Sequence, residues 1–228
     1  MQNLTNIFEE YYSKTPFKKI LWNQLSEREI FDVLDNLGVP RNFKIVSLGC
    51  GTGQKEIYAG KNGYKNLTGV DISKSAIKTA LSLSKKARVN AKFYVGDIIS
   101  MLNSIAFRDI REPDLLLDWM SFHTIAKKYR KKYIETVNAI NPRWFLIRTF
   151  SKKDSDYTKT KKDKLPNIRA EKIYRHFFNF EDLGKLFSNF YPVLQFDTQE
   201  YLNPKKFIDN KVAAKITVLF LNKKRVFS

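Results

Sequence analysis

Three glycines at alternate positions, Gly49, Gly51 and Gly53, follow the short apolar run Lys44-Ile45-Val46-Ser47-Leu48 and precede a helical pattern from about Gln54. A strand, a glycine-rich turn and a helix in that order can make a nucleotide-type binding site. Glycine lets the backbone take positive φ and lets a ligand approach without meeting a Cβ. The first turn of the following helix offers unpaired N–H groups and a positive dipole end. The spacing is G-x-G-x-G, not the G-x-G-x-x-G of a dinucleotide fingerprint.

Two carboxylates follow at suggestive distances. Asp71 ends the strand-like run Asn66-Leu67-Thr68-Gly69-Val70-Asp71 and lies 18 residues after Gly53. That is close to the spacing of an acid that accepts from ribose hydroxyls. An ionised carboxylate is acceptor-only and can take two hydroxyl donors at once. The competing role is the helix N-cap before Ser75-Ala76-Ile77, which Ser73 could fill instead. Asp97 ends a third strand-like run, Ala91 to Val95, followed by Gly96-Asp97-Ile98. A fourth run, Pro113 to Asp118, opens into Trp119-Met120-Ser121-Phe122-His123. Ligands of open parallel α/β sheets bind beyond the carboxyl ends of the strands, so Asp118 to His123 should face the reacting group.

The run Leu48-Gly49-Cys50-Gly51-Thr52-Gly53, with Asp71 and Asp97 behind it, resembles the first motifs of the class I S-adenosylmethionine (SAM)-dependent methyltransferases. The pattern Asp118-x4-His123, then Arg130-x2-Tyr133, is similar to the branch that includes thiopurine and tellurite-resistance methyltransferases. That branch often shows Asp-Arg-Gly here, and Trp119-Met120 replaces the Arg-Gly pair. The resemblance implies SAM as cofactor and S-adenosylhomocysteine as product. It implies a cofactor site of Gly49, Cys50, Gly51, Gly53, Asp71, Ile72, Asp97, Ile98, Asp118 and Trp119, with Trp22 on the N-terminal cover. Asp97 would hold the adenine amino group and the Ile98 N–H a ring nitrogen. His123 is the candidate base for an acceptor that loses a proton, with Asp118 second.

The elements that must position these groups read as α/β. The resemblance implies a Rossmann-like three-layer sandwich: a mostly parallel seven-stranded sheet, a C-terminal antiparallel strand pair and N-terminal helices. Residues 1–39 read as a helical lid or cap, with Trp22, Tyr11 and Tyr12 as lid aromatics. There Ser26-Glu27-Arg28-Glu29 forms a capping box before the Ile30 to Leu37 pattern. Residues 40–228 form the SAM-binding unit. The fifth strand is Arg143 to Phe150, and Val193 to Tyr201 with Ala214 to Leu221 make the terminal pair. Residues 151–172 read as a polar, mobile loop.

The 228 residues suit one domain with a sizeable core. No apolar run approaches the ~20 residues needed to cross a bilayer. The first residues carry acids and no long apolar core, so a cytoplasmic location is expected. One cysteine, Cys50, excludes an internal disulfide, and with two histidines, His123 and His176, a His/Cys zinc site is not expected.

The net charge of +18 reads either as a footprint for RNA or as a lysine-rich solvated surface. The basic run from Lys127 to Lys132 carries the same two readings. No D/N-P-P-Y/F motif follows the fourth strand, which disfavours amino-directed nucleic-acid methyl transfer. A ribose 2′-O-methyltransferase is the alternative. It would use Lys18 or Lys19, Asp118, Lys152 and Glu200. The first expectation is a small-molecule acceptor with a sulfur, oxygen, nitrogen or halide nucleophile. A non-catalytic SAM-binding domain is the third reading.

Overall fold

A computed structural model describes residues 4–20, 28–160, 164–167, 170–201 and 212–226. Trp22, Ser26 and Glu27 lie outside the described residues. Five parallel strands build the sheet centre: β1 (Lys44–Leu48), β2 (Asn66–Asp71), β3 (Ala91–Val95), β4 (Leu115–Trp119) and β5 (Trp144–Ser151). Their order is β3-β2-β1-β4-β5. β9 (Val212–Asn222) runs antiparallel beside β5, and β8 (Phe190–Tyr201) runs antiparallel beside β9. These seven strands are the sheet that the sequence predicts.

The apolar content of the strands reflects burial on both faces. Val46, Leu48, Val70, Leu116, Phe145, Ile147, Val218 and Phe220 form one core face. It packs against α5 (Ile105–Ile110), α6 (Arg130–Ile140) and α8 (Phe180–Leu186). Ile45, Leu67, Leu115, Leu117 and Leu146 face the other way, against α2 (Arg28–Asn36) and α3 (Gln54–Lys61). α4 (Lys74–Ala87) joins α3 there through Ile77 and Ala80, which meet Ile57 and Phe93. Strand order reverses between β1 and β4, so the chain diverges above their carboxyl ends and leaves a crevice.

The expected loop over 151–172 instead contains secondary structure among the described residues. It contains α7 (Ser155–Thr160), β6 (Lys164–Asn167) and the start of β7 (Ala170–Phe178). β6 and β7 pair antiparallel, and β7 joins the end of β5 through Phe150–Phe177 and Ser151–Phe178. Arg175 and Phe177 show why this segment takes structure. The guanidinium lies 5.3 Å from the Phe150 and Phe177 ring centres and pairs with Asp156. Asp156 and Phe150 lie 19 and 25 residues before Arg175, so local composition reads only as polar. The hairpin sits over the carboxyl end of the sheet beside the β4 turn.

At the N-terminus, α1 (Leu4–Lys14) has no buried residue. It is held to the start of α4 by Glu9. The carboxylate accepts from Ser73 Oγ at 2.7 Å, Ser75 N–H at 3.1 Å and Ser75 Oγ at 2.5 Å. These donors hold the Glu9 carboxyl below its ordinary pKa. Charge-assisted bonds to one helix start tie this surface-lying helix down, worth about 1–2 kcal/mol after solvent competition. Glu9→Ala is therefore expected to speed amide exchange in residues 4–14 while β1 and β4 stay protected. Unchanged α1 protection in hydrogen-exchange mass spectrometry would sink this account.

Candidate active site

The glycine loop leaves β1 under tight backbone control. Gly49 and Cys50 donate N–H bonds to Val70 O at 2.8 and 3.0 Å. Gly49, Gly51 and Gly53 have φ of 68°, 57° and 71°. A Cβ on Gly49 would lie 1.9 Å from Ser121 Oγ, and one on Gly53 would lie 2.6 Å from the Phe93 ring. The first glycine thus lets the β4 turn close onto the loop, and the third lets α3 settle against β3. Cys50 is buried, and burial pushes its thiol pKa well up, so it is an inert packing group.

Asp71 sits at the rim with both oxygens oriented by backbone. Oδ2 accepts from Gly51 N–H at 2.8 Å and Oδ1 from Ser73 N–H at 3.0 Å. Ser73, not Asp71, caps α4, accepting from Ala76 N–H at 3.1 Å. Burial pushes the Asp71 carboxyl up to about 6, against the opposing pull of those N–H bonds. Asp97 lies one strand over, where Oδ1 accepts from Ile99 N–H at 3.0 Å. The Ile98 N–H between them has no acceptor among the described residues. Ile72 lies on the same rim, half-buried.

Asp118 has a different setting from the one the sequence suggests. Its carboxylate is fully buried. Oδ1 accepts from Ser121 N–H at 2.8 Å and Phe122 N–H at 3.0 Å, and Oδ2 accepts from the Tyr133 hydroxyl. Burial pushes Asp118 up to about 6, and Tyr133 is pushed well up with it. Three internal donors already occupy the Asp118 carboxylate and hold it in the fold rather than toward an acceptor molecule. The geometry makes it a brace for the turn. Met120 within that turn has φ of 71°, and its N–H donates to Arg148 O at 2.9 Å. The left-handed conformation that glycine adopts easily is thus kept by a methionine, at about 1–2 kcal/mol. Phe122, buried among the Tyr133, Phe178 and Phe187 rings, contributes a compensating ~2–3 kcal/mol.

His123 follows, 6% exposed, with its ring edge-on to Phe150 at 4.8 Å. Its Nδ1 has no hydrogen-bond partner among the described residues. Burial, then the positive neighbours His176, Arg175 and Lys215, push its pKa down to about 3. Both histidines of the chain therefore meet here, which the sequence did not signal. Arg148 lies 4.9 Å over the Trp119 ring and donates to Thr198 and Thr217. This wall of buried cations and aromatics, Trp119, Arg148, Phe150, Arg175 and Lys215, comes from β4, β5, β7 and β9. Sequence reasoning missed all but Trp119, because each strand contributes an isolated residue with no recurring spacing.

Residues 45–141 match the family model described as methyltransferase domain. Over those residues, which are less than half of its length, the chain is similar to a methyltransferase domain. The sheet topology is also that of solved SAM-dependent methyltransferases. A putative protein N5-glutamine methyltransferase of Methanocaldococcus jannaschii is 36% identical over 66 residues. That match covers 29% of this chain and spans about a third (34%) of the relative. A SAM-dependent methyltransferase from Anabaena variabilis has a similar structure, with TM-score 0.72 and 16% identity over 97% of this chain and 96% of that one. So does the 1,6-didemethyltoxoflavin-N1-methyltransferase of Burkholderia thailandensis, crystallised with S-adenosylhomocysteine. There the TM-score is 0.66 at 15% identity, over 96% and 87% of the two chains.

The residues present in this chain fit SAM as a cofactor. The loop has no room for a Cβ at Gly49, the Ile98 N–H is unpaired among the described residues, and the Asp71 oxygens keep unused lone pairs.

Asp118→Ala leaves three donors unsatisfied and is expected to cost about 3 kcal/mol or more in urea unfolding. Asp118→Asn should stay within about 1 kcal/mol of wild type at pH 8. Because the folded carboxyl titrates near 6 and the unfolded one near 3.8, its contribution is present below pH ~4 and lost as pH rises through ~6. The Asn variant should flatten that segment of the stability profile.

Proposed function

We propose that the chain transfers a methyl group from SAM to a small-molecule nucleophile. SAM supplies the methyl on a sulfonium, already activated for in-line displacement, so the protein's task is alignment and, where a proton leaves, its acceptance. Asp71 accepts from the ribose hydroxyls, oriented by Gly51 and Ser73. Asp97 and the Ile98 N–H read the adenine edge, with Ile72 beside it. Gly49 to Gly53 receive the methionine portion, and Trp119 closes the crevice. Residues 1–39 act as its cover, held down by Glu9. Asp118 positions the β4 turn through Tyr133 and the Ser121 and Phe122 amides. His123 meets the acceptor.

The observation that carries the acceptor assignment is the buried His123 ring with its unpartnered Nδ1. Its unpartnered Nδ1 and depressed pKa leave a neutral imidazole at any physiological pH, able to accept a hydrogen bond from the acceptor and so orient it. The hairpin β6–β7 and α7 cover this end of the sheet, which suits a compact acceptor.

The ribose 2′-O alternative asks Asp118 and Lys152 to meet. Asp118 is instead closed off by Tyr133 and two amides, and Lys152 pairs with Asp182 at 2.9 Å. Glu200 is on β8, and Lys18 and Lys19 are exposed on the turn after α1. The tetrad's two central members are thus spent elsewhere, so the geometry opposes this reading.

Two measurements test the proposal. Calorimetric SAM affinity should be level above pH 7 and fall toward tenfold per unit as pH drops through about 6, where Asp71 gains a proton. Asp71→Asn should bind more weakly and lose that pH dependence; a wild type that binds SAM equally at pH 5 and 8 would refute the ribose role. In a screen of thiol, halide and hydroxyl acceptors, His123→Ala should lower kcat by about 10²-fold with SAM affinity unchanged. Its wild-type profile should show no histidine break near 6.5. Turnover on RNA alone, or full activity in the variant, would overturn the acceptor assignment.

A further inference from the structure

Glu56 is the one carboxylate near the crevice that the reading above leaves without a task. It stands in the first turn of α3, directly behind the glycine loop, and is 4% exposed. Ser47, at the end of β1, gives it one hydrogen bond. Its Oε2 has no partner among the described residues. Burial raises its pKa, with Lys55 the one cation acting against that rise. Two of its titratable neighbours are acids: Cys50 and Asp71 both feel its negative charge. A carboxyl oxygen buried unpartnered beside two more acids costs several kcal/mol of desolvation unless a donor arrives.

The arriving donor must be cationic, rich in N–H and seated at the glycine loop. Of the two positive groups of SAM, the sulfonium has no hydrogen to donate and the α-ammonium has three. The ammonium belongs to the methionine portion, which the proposed function places on Gly49 to Gly53. We propose that Glu56 is a further cofactor-binding residue that takes the α-ammonium of SAM from beneath the glycine loop. This rests on the SAM reading. Glu56 and Asp71 then divide the cofactor between them. Asp71 holds the nucleoside by its hydroxyls, and Glu56 holds the amino acid by its charge. Ser47 fixes the Glu56 rotamer and leaves the second oxygen for the ligand.

The two acids are separable with two ligands. S-adenosylhomocysteine carries the ammonium, and 5′-deoxy-5′-methylthioadenosine keeps the nucleoside and lacks the amino-acid portion. Calorimetry on the full chain should show Glu56→Gln weakening S-adenosylhomocysteine tenfold or more while methylthioadenosine stays within twofold. Asp71→Ala should weaken both. Glu56→Leu, which removes an unpartnered buried charge, is expected to fold at least as well as wild type and to show the same selective loss. If either Glu56 variant binds S-adenosylhomocysteine like wild type, or if both ligands weaken together, Glu56 is structural and the proposal falls. If the wild type binds neither ligand, the SAM reading itself falls and takes this assignment with it.

Discussion

The closure of the β4 turn onto the glycine loop depends on a single desolvated carboxylate. Asp118 gathers the Ser121 and Phe122 amides and the Tyr133 hydroxyl, and so ties β4 to its own turn and to α6. That places Ser121 against Gly49, where no side chain would fit, and drives Phe122 into the ring cluster of Tyr133, Phe178 and Phe187. It also supports the left-handed Met120. His123 comes next in the chain, so its position is inherited from this one network. A fully satisfied buried polar group fixes geometry better than an apolar contact, because its donors accept few alternative arrangements.

The electrostatics of the molecule are divided. Its overall charge is strongly positive, yet the crevice rim on the β1–β3 side is acidic, with Asp71, Asp97 and Glu56 near the glycine loop. Burial raises the pKa of Asp71 and Glu56, so an arriving cationic ligand both neutralises them and replaces lost solvation. The +18 surface belongs to solvent-facing lysines, and a cation-binding crevice is compatible with it because exposed charges are screened within about 10 Å.

On the β5 side the sign reverses. Arg148 and Arg175 lie buried over aromatic rings, and burial, with the charges of His176, Arg175 and Lys215, keeps His123 neutral. Methyl donor and methyl acceptor would thus meet at a boundary between an acidic and a basic wall. Such a boundary favours orientation of both reactants, which is most of what an activated donor requires.

Local sequence determined much of this. The glycine spacing, the apolar runs and the acids that end β2 and β3 are written within a few residues of each other. Strand, turn and helix signals are short-range, because φ preference, capping and periodicity act over one or two turns of chain. Ser73 as the α4 cap was legible for that reason. Tertiary structure alone decided which polar residues are buried and what they touch. Asp118 reads as a rim acid until Tyr133 and the folded turn enclose it. Glu56 reads as an ordinary first-turn acid until α3 lies on Ser47. The 151–172 segment reads as a polar loop until Arg175 finds Asp156 and the Phe150 and Phe177 rings. Each depends on how separate elements of the fold come together, and desolvation is a property of the assembled interior that no single stretch of chain encodes.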